Sequence, residues 1–477
     1  MPAKKVLFIA FIYPPMSAAG VHRSVRFVRY LPELGWDITV LTPEEKEYPP
    51  MTPVDRSLVD KIPASVKEER TRIFQGFFKL FNLKESMAAN KDAKKKLVSK
   101  FFSTEEKKDK AAPLDPGLIK ELAEQANLKK PAPKQKSRFQ KLKDLIYDLF
   151  TIPDKNVSWL PYAVARGWKL YRQKQVDIIY STAPPFTDHL VALILKKLTG
   201  LPWIADFRDP WARSPMKVDE LRGTFRGRAY DYLERKFVEN ADKVILNTPY
   251  AEAEFIEFYG QALRDKFCVI PNGFDPADFE SAEFAANGEV KRDKLVITHT
   301  GALYRKRNPD AFFQAVAEII DEGIISPEEL EVKFVGIIAP DLFKSFKDFE
   351  KLESVIRVYP QVSHKEALRF QAESDVLLLF QPGTSLSVPG KFFEYVALKK
   401  YMLAVAVPGA TTEIVEKHGL GATATPDDIA RIKEGLVDFI KRWRNGGIGY
   451  VHNSDAYEQY NGRNIARMLS DQMNMLV

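Results

Sequence analysis

Cysteine is almost missing: Cys268 is the one thiol in 477 residues, so an internal disulfide is excluded and a reducing cytoplasm fits. It stands in the apolar run Lys266-Phe267-Cys268-Val269-Ile270, where a buried, inert thiol is expected rather than a nucleophile. Histidine is scarce too. The six (His22, His189, His299, His364, His418 and His452) show no metal-pair spacing, so no zinc constellation and no bound metal is expected. Long apolar runs are missing. The amino-terminal one, Val6 to Ile12, ends at Tyr13-Pro14-Pro15, far short of the roughly eighteen residues of a membrane span, and no cleavage site for a leader follows. The Gly-x-Ser-x-Gly of a serine hydrolase is absent. These absences leave a cytoplasmic protein, free or attached peripherally to the inner face of the membrane.

What remains is the composition of a folded chain, 45% hydrophobic and 28% charged, too long for one hydrophobic core. The net charge of +7 is concentrated: Lys84 to Lys143 holds 17 Lys/Arg against 8 Asp/Glu, an excess larger than that of the whole chain. Such an excess suits nucleic acid, anionic lipid or a solvated surface.

Val6–Ile12 reads as a strand covered on both faces. The loop to Gly20, a helix over Val21–Leu34 and the strand Asp37–Thr42 complete a βαβ opening. The rhythm then stops from about 50 to 150, which reads as a basic insertion. It contains an apolar-aromatic run over Ile73–Leu83 and an amphipathic pattern over Phe139–Phe150. Strands return at Asp177–Thr182, Pro202–Asp206, Lys243–Thr248 and Phe267–Ile270, with helices between. After a linker near Glu280 to Arg292 a second series begins at Leu295–Thr300, Glu331–Val335, Val355–Val358, Val376–Phe380 and Met402–Val407. Two doubly wound parallel α/β domains are predicted, over 1–285 and 286–452, with a terminal helical segment at 453–477.

In such sheets ligands bind beyond the carboxyl ends of strands, which directs attention to five loops. Ser17-Ala18-Ala19-Gly20 opens a helix with small residues. Either its N–H groups approach an anionic or sugar oxygen, or it is merely a tight turn. It is neither a dinucleotide fingerprint nor an ATP-binding loop. Asp206-Phe207-Arg208-Asp209-Pro210-Trp211 follows a strand directly. An Arg–Asp pair holding the loop is one reading. The other has Asp206 or Asp209 binding or deprotonating an acceptor hydroxyl, with Arg208 beside them and Trp211 stacked on a sugar. Thr300-Gly301-Ala302 leads to Arg305, Lys306 and Arg307, a glycine turn with cations that suits a diphosphate or is a solvated basic loop. Lys391 and Glu394, one helical turn apart, form an ordinary ion pair, or meet a phosphate and a ribose diol respectively. Pro408–Glu413 adds small residues and hydroxyls at a helix start. Among the histidines only His299, beside the glycine turn, invites a functional test.

In their order along the chain, Tyr13-Pro14-Pro15 with Gly20, Ile270-Pro271-Asn272-Gly273-Phe274-Asp275, the Thr300-Gly301 turn and Val388-Pro389-Gly390-Lys391-Phe392-Phe393-Glu394-Tyr395 resemble the family-four retaining glycosyltransferases of the GT-B fold. Ser181-Thr182-Ala183-Pro184-Pro185 and the Asp206–Trp211 string are similar to a subgroup that builds cell-surface polysaccharides. The resemblance implies a UDP- or GDP-linked sugar donor held by the second domain and a glycan or lipid-linked acceptor held by the first. It also implies a terminal helix crossing back to the first domain, and retention of anomeric configuration without a metal. Of the family's two glutamates the second matches Glu394, while the first falls on Leu386. Ala302 stands where arginine is common, so Arg305 and Arg307 take that role. The first-domain histidine is replaced within Ser181–Pro185.

The expected function is therefore sugar transfer, with Arg305, Arg307 and Lys391 meeting charge on the leaving phosphate. An epimerase of nucleotide sugars and a GT-B scaffold without turnover are the rivals, and Leu386 is the best argument for the latter. Nucleic acid is not expected, because no binding module accompanies the basic excess. Near Phe77, Phe78 and Phe81 that excess suits an anionic membrane, or else a solvated insertion.

Overall fold

The computed structural model describes residues 3–18, 20–49, 52–74, 112–113, 148–212, 221–280, 293–303, 307–339, 342, 352–451 and 454–477. The chain divides into two compact units. One is drawn from Met1–Ala89, Lys134–Asp275 and Asn461–Val477, and the other includes Pro276–Tyr460.

The first unit holds seven strands: β1 (Lys4–Ile9), β2 (Trp36–Pro43), β3 (Lys67–Thr71), β4 (Ile178–Ala183), β5 (Trp203–Phe207), β6 (Lys243–Leu246) and β7 (Phe267–Val269). They lie in the order β3-β2-β1-β4-β5-β6-β7, and every pairing is parallel. Alternation along β1 feeds two cores. Leu7 and Ile9 join Trp159, Trp203 and Phe207 on one face, whereas Val6 and Phe8 join Phe27, Tyr30, Ile465 and Leu469 on the other. That second face is covered by helix Val21–Tyr30 and by the terminal helix Gly462–Asn474, and Trp36 Nε1 donates to Ser470 Oγ at 2.9 Å. Phe274 pairs with Asn461, and Gly462 N donates to the Phe274 carbonyl at 2.9 Å, so this unit joins chain segments nearly two hundred residues apart.

The second unit holds β8 (Leu295–Thr300), β9 (Leu330–Val335), β10 (Ile356–Tyr359), β11 (Val376–Gln381), β12 (Tyr401–Ala406) and β13 (Gly421–Ala424). Their order is β10-β9-β8-β11-β12-β13, again wholly parallel. Its core includes Phe312, Phe334 and Phe380, with the Phe312 ring edge-on to the other two. Burying each such ring stabilises the fold by about 1.5–3 kcal/mol.

Two strands are not legible in the sequence. Strand β3, Lys67-Glu68-Glu69-Arg70-Thr71, carries no apolar residue because it is an edge strand. It lies inside the 50–150 stretch that reads as an insertion. Strand β13 is the other edge, made of Gly421, Ala422, Thr423 and Ala424. The basic excess over Lys84–Lys143, the aromatic neighbours Phe77, Phe78 and Phe81, and most of the two apolar patterns lie outside the described residues. Among the described residues no helix is long and apolar enough to cross a membrane. Cys268 lies in β7 with its thiol pushed up to about 12 by burial, so it stays protonated and inert.

Each sheet reverses its winding once, between β1 and β4 in the first unit and between β8 and β11 in the second. Carboxyl ends of strands flanking such a reversal leave a crevice, because the connections depart to opposite faces.

Candidate functional site

In the second unit that reversal gathers a cluster of cations. β8 ends at Thr300, and Gly301 follows with φ +128°, a conformation L side chains rarely adopt. A Cβ there would stand 2.2 Å from Lys391 Nζ, so the lysine reaches across the bare Cα. Lys391 lies in the first turn of helix Gly390–Ala397, at the helix's positive end. Burial holds its ammonium below the ordinary lysine range and Arg307 pushes the same way, against the pull of Glu394. Arg307 reaches the Ala302 carbonyl and Gln381 Oε1, each at 3.5 Å, longer than a good hydrogen bond. Arg305 lies outside the described residues.

The ordinary ion pair between Lys391 and Glu394 does not form. Glu394 Oε1 instead lies 3.1 Å from His364 Nε2, while Oε2 accepts from Gln371 Nε2 at 2.7 Å. Lys391 is left without a hydrogen bond or ion pair among the described residues, a costly state for a largely buried ammonium unless an anion arrives. The segment carrying Leu386 is tied down by the Pro408–Glu413 loop: Ala410 N donates to Ser385 O at 2.9 Å and Thr411 Oγ1 to Ser387 O at 3.4 Å. No carboxylate takes the place of Leu386 between Gln381 and Lys391.

His299 is a core histidine. It is 2% exposed, its Nδ1 lies 2.9 Å from the Leu378 carbonyl, and burial pushes its pKa down to about 3, with Lys391 and Arg307 adding to the effect. A neutral ring must be charged on unfolding below pH 6.5, so stability present at neutral pH is lost as pH falls from about 6.5 toward about 3. The loss is about 1 kcal/mol over the first pH unit below 6.5 and approaches about 1.4 kcal/mol per unit further down. His189, buried with its pKa likewise pushed down to about 3, adds to the same slope. Urea denaturation at pH 6.5, 6.0 and 5.5 should therefore show a shallower slope for the His299→Asn protein than for the wild type, the difference being the His299 share. Equal slopes in the two proteins would mean that the ring titrates normally.

In the first unit the loop after β5 is built around buried charge. Asp206 has no exposed surface. It pairs with Arg23 through two bonds, 2.8 Å from Nε and 3.0 Å from Nη2, and accepts the Tyr180 hydroxyl. Arg23 also donates to the carbonyls of Pro271, at 2.7 Å, and Ile270, at 3.0 Å. The Arg–Asp pair therefore exists with Arg23 as the arginine, and Asp206 lacks the exposure needed to meet an acceptor hydroxyl. Asp209 is exposed.

Trp211 does not present its ring. It is 2% exposed, stacked on Phe186 at 4.2 Å and covered by Tyr230 at 4.4 Å, and its backbone N–H donates to buried Glu234. A sugar has no access to either face.

Arg208 is buried, with Nε donating to the Ala183 carbonyl at 3.2 Å and Nη2 to that of Pro184. Its Nη1 is buried without a partner among the described residues. Gly20 has φ +92°, and a Cβ on it would overlap that Nη1 at 1.9 Å. Only glycine at 20 lets the guanidinium lie against the start of helix Val21–Tyr30, where two positive ends meet. Burial lowers the Arg208 pKa, against the charges of Asp206 and Asp209.

Arg23, Tyr180, His364 and Gln371 carry no sequence signal as site residues. Only the seven-residue spacing of the last two, which places them on one helical face, hints at a shared target. Among the described residues no three His, Cys, Asp or Glu side chains are grouped to hold a metal ion.

Two parallel doubly wound units in tandem, with a cationic cluster at the reversal of the second, define a GT-B fold of the glycosyltransferase type. Residues 130–278 match the model described as Glycosyltransferase Family 4, about a third of the chain. Over 199 residues it is 28% identical to a D-inositol 3-phosphate glycosyltransferase of Kineococcus radiotolerans, which covers 40% of this chain. The match spans 45% of that relative's length, less than half. The same fold occurs in sucrose-phosphate synthase from Thermosynechococcus elongatus, with a TM-score of 0.59 at 15% identity over 99% of both chains. It occurs also in Anabaena HepE, solved in complex with UDP-glucose, with a TM-score of 0.54 at 14% identity, covering 99% of this chain and all of that one.

Proposed function

We propose that this protein transfers a sugar from a nucleoside-diphosphate donor, UDP- or GDP-linked, to a glycan or lipid-linked acceptor. The observation that carries the reading is Lys391, a largely buried ammonium held against the bare Cα of Gly301 with no counter-charge in contact among the described residues. A diphosphate placed there would receive that charge, the Gly390 helix start and Arg307, and the same groups would meet charge developing on the leaving phosphate. Glu394 is one turn along the same helix, where a ribose would follow the phosphates. Arg305 is assigned to the same phosphates from its place in the sequence. Anabaena HepE, which shares the fold and was solved in complex with UDP-glucose, supports a sugar nucleotide as the ligand class.

In the first unit, Asp209 is the exposed carboxylate of its loop and is assigned to the acceptor hydroxyl, with Asp206 holding the loop through Arg23. The unpartnered Nη1 of Arg208, beside Gly20, suits an anionic or sugar oxygen. Leu386 favours a second reading, a scaffold that binds the nucleotide sugar without turnover.

Thermal unfolding with UDP, GDP and their hexose conjugates separates these readings, because a ligand that binds only the folded state raises the Tm according to occupancy. We expect one nucleotide series to raise it. Slow release of free sugar from that conjugate should accompany binding in a transferase, and Asp209→Asn should leave the Tm shift intact while reducing transfer. Binding with no release or transfer would identify the scaffold, and no shift with any nucleotide would end the proposal.

A further inference from the structure

We infer that His364 and Gln371 are positioning residues that set ribose recognition by clamping the Glu394 carboxylate, an inference that rests on the donor reading above. Both belong to helix His364–Ala372, seven positions apart, hence nearly two full turns along one face. From that face they reach one carboxylate, His364 Nε2 at one oxygen and Gln371 Nε2 at the other.

The Gln371 side chain is fully buried, and its orientation follows from its neighbours. An ionised carboxylate only accepts, so the amide nitrogen must face it. The second N–H of that nitrogen goes to Thr300 Oγ1 at 2.9 Å. Thr300 directly precedes Gly301, so one buried amide links the carboxylate to the glycine turn beside Lys391. Burial alone would favour the protonated acid. The bonds from His364 and Gln371, with the charge of Lys391, outweigh it and hold the Glu394 pKa below its ordinary value.

Glu394 is thus ionised and fixed in plane. Each carboxylate oxygen offers two lone-pair directions, and the clamp takes one from each. One acceptor direction remains on each oxygen, enough for the two hydroxyls of a vicinal diol. Without the clamp the carboxylate would turn about its terminal torsion, and ordering it would fall to the ligand. His364 and Gln371 act through Glu394 and not on the nucleotide.

Ribose discrimination tests this where a merely structural role would leave no mark. Titration calorimetry would compare UDP with 2′-deoxy-UDP, and GDP with 2′-deoxy-GDP, on the full chain. One charge-assisted bond to a hydroxyl gives about a tenfold preference for the ribonucleotide in the wild type. His364→Ala, at a side chain one-third exposed and so compatible with folding, should reduce that preference to about twofold. His364→Gln, which still offers an N–H donor, should restore most of it. Full preference in His364→Ala would overturn the inference. If Glu394→Ala loses the preference while His364→Ala keeps it, the clamp alone fails and the donor reading stands. If neither ribonucleotide binds the wild type, both fall.

Discussion

Lys391→Ala is expected to weaken nucleoside-diphosphate binding by about tenfold to a hundredfold, the equivalent of roughly 1.5–3 kcal/mol for a charge-assisted contact. The same substitution should leave the unliganded protein as stable as before, or slightly more so. The reason lies in the present partners of the ammonium. It sits largely buried, makes no hydrogen bond or ion pair among the described residues, and is held below its ordinary pKa by burial. Removing an uncompensated charge relieves a desolvation cost while deleting the contact made only with ligand. Lys391→Met, which preserves the volume of the stem, should behave alike. Calorimetric titration with UDP or GDP, together with the unliganded Tm, measures both halves. A variant that binds as tightly as the wild type would remove Lys391 from the phosphate site.

Asp206→Ala is expected to do the opposite, costing about 3–5 kcal/mol of stability by leaving Arg23 charged, buried and unpaired. Both oxygens of Asp206 are engaged, and the arginine it holds also clasps the carbonyls of Ile270 and Pro271 at the carboxyl end of the sheet. Tyr180 loses its acceptor in the same step. Replacing both members of the pair, Arg23→Met with Asp206→Leu, should recover most of the loss, since two apolar side chains of similar volume leave no charge behind. Nucleotide binding, proposed for the other unit, should survive in any Asp206 variant that still folds. Urea denaturation reads the first expectation and titration calorimetry the second. An Asp206→Ala protein of wild-type stability would show that the buried pair contributes little.

Much of the fold was legible because its central strands are apolar throughout. Val376-Leu377-Leu378-Leu379-Phe380, a short continuous apolar run, reads as a strand covered on both faces and is one. The edges were not legible, for the same reason inverted: β3 and β13 have only one neighbour and little to bury, so their composition is that of a loop. Legibility at the site followed a different rule. Position after a strand pointed to Gly301, Lys391 and Glu394, but not to which of two local readings applied.

The pair at Lys391 and Glu394 illustrates this. Spacing of three residues on a helix permits an ion pair, and spacing alone offered nothing to break it. His364 and Gln371, brought in by another helix, compete for the carboxylate and separate the two. Trp211 is the converse case. A tryptophan at a strand's end reads as a sugar platform until Phe186 and Tyr230 are seen to occupy both its faces.

By itself the sequence determined two parallel α/β units and the loops that follow their strands, because periodic burial and turn residues are local properties of the chain. Tertiary structure alone decided which charges were already matched and which were not. Arg23 answers Asp206 across more than 180 residues while Lys391 has no such partner among the described residues, since a charge's partner is set by proximity in space, which sequence distance does not encode.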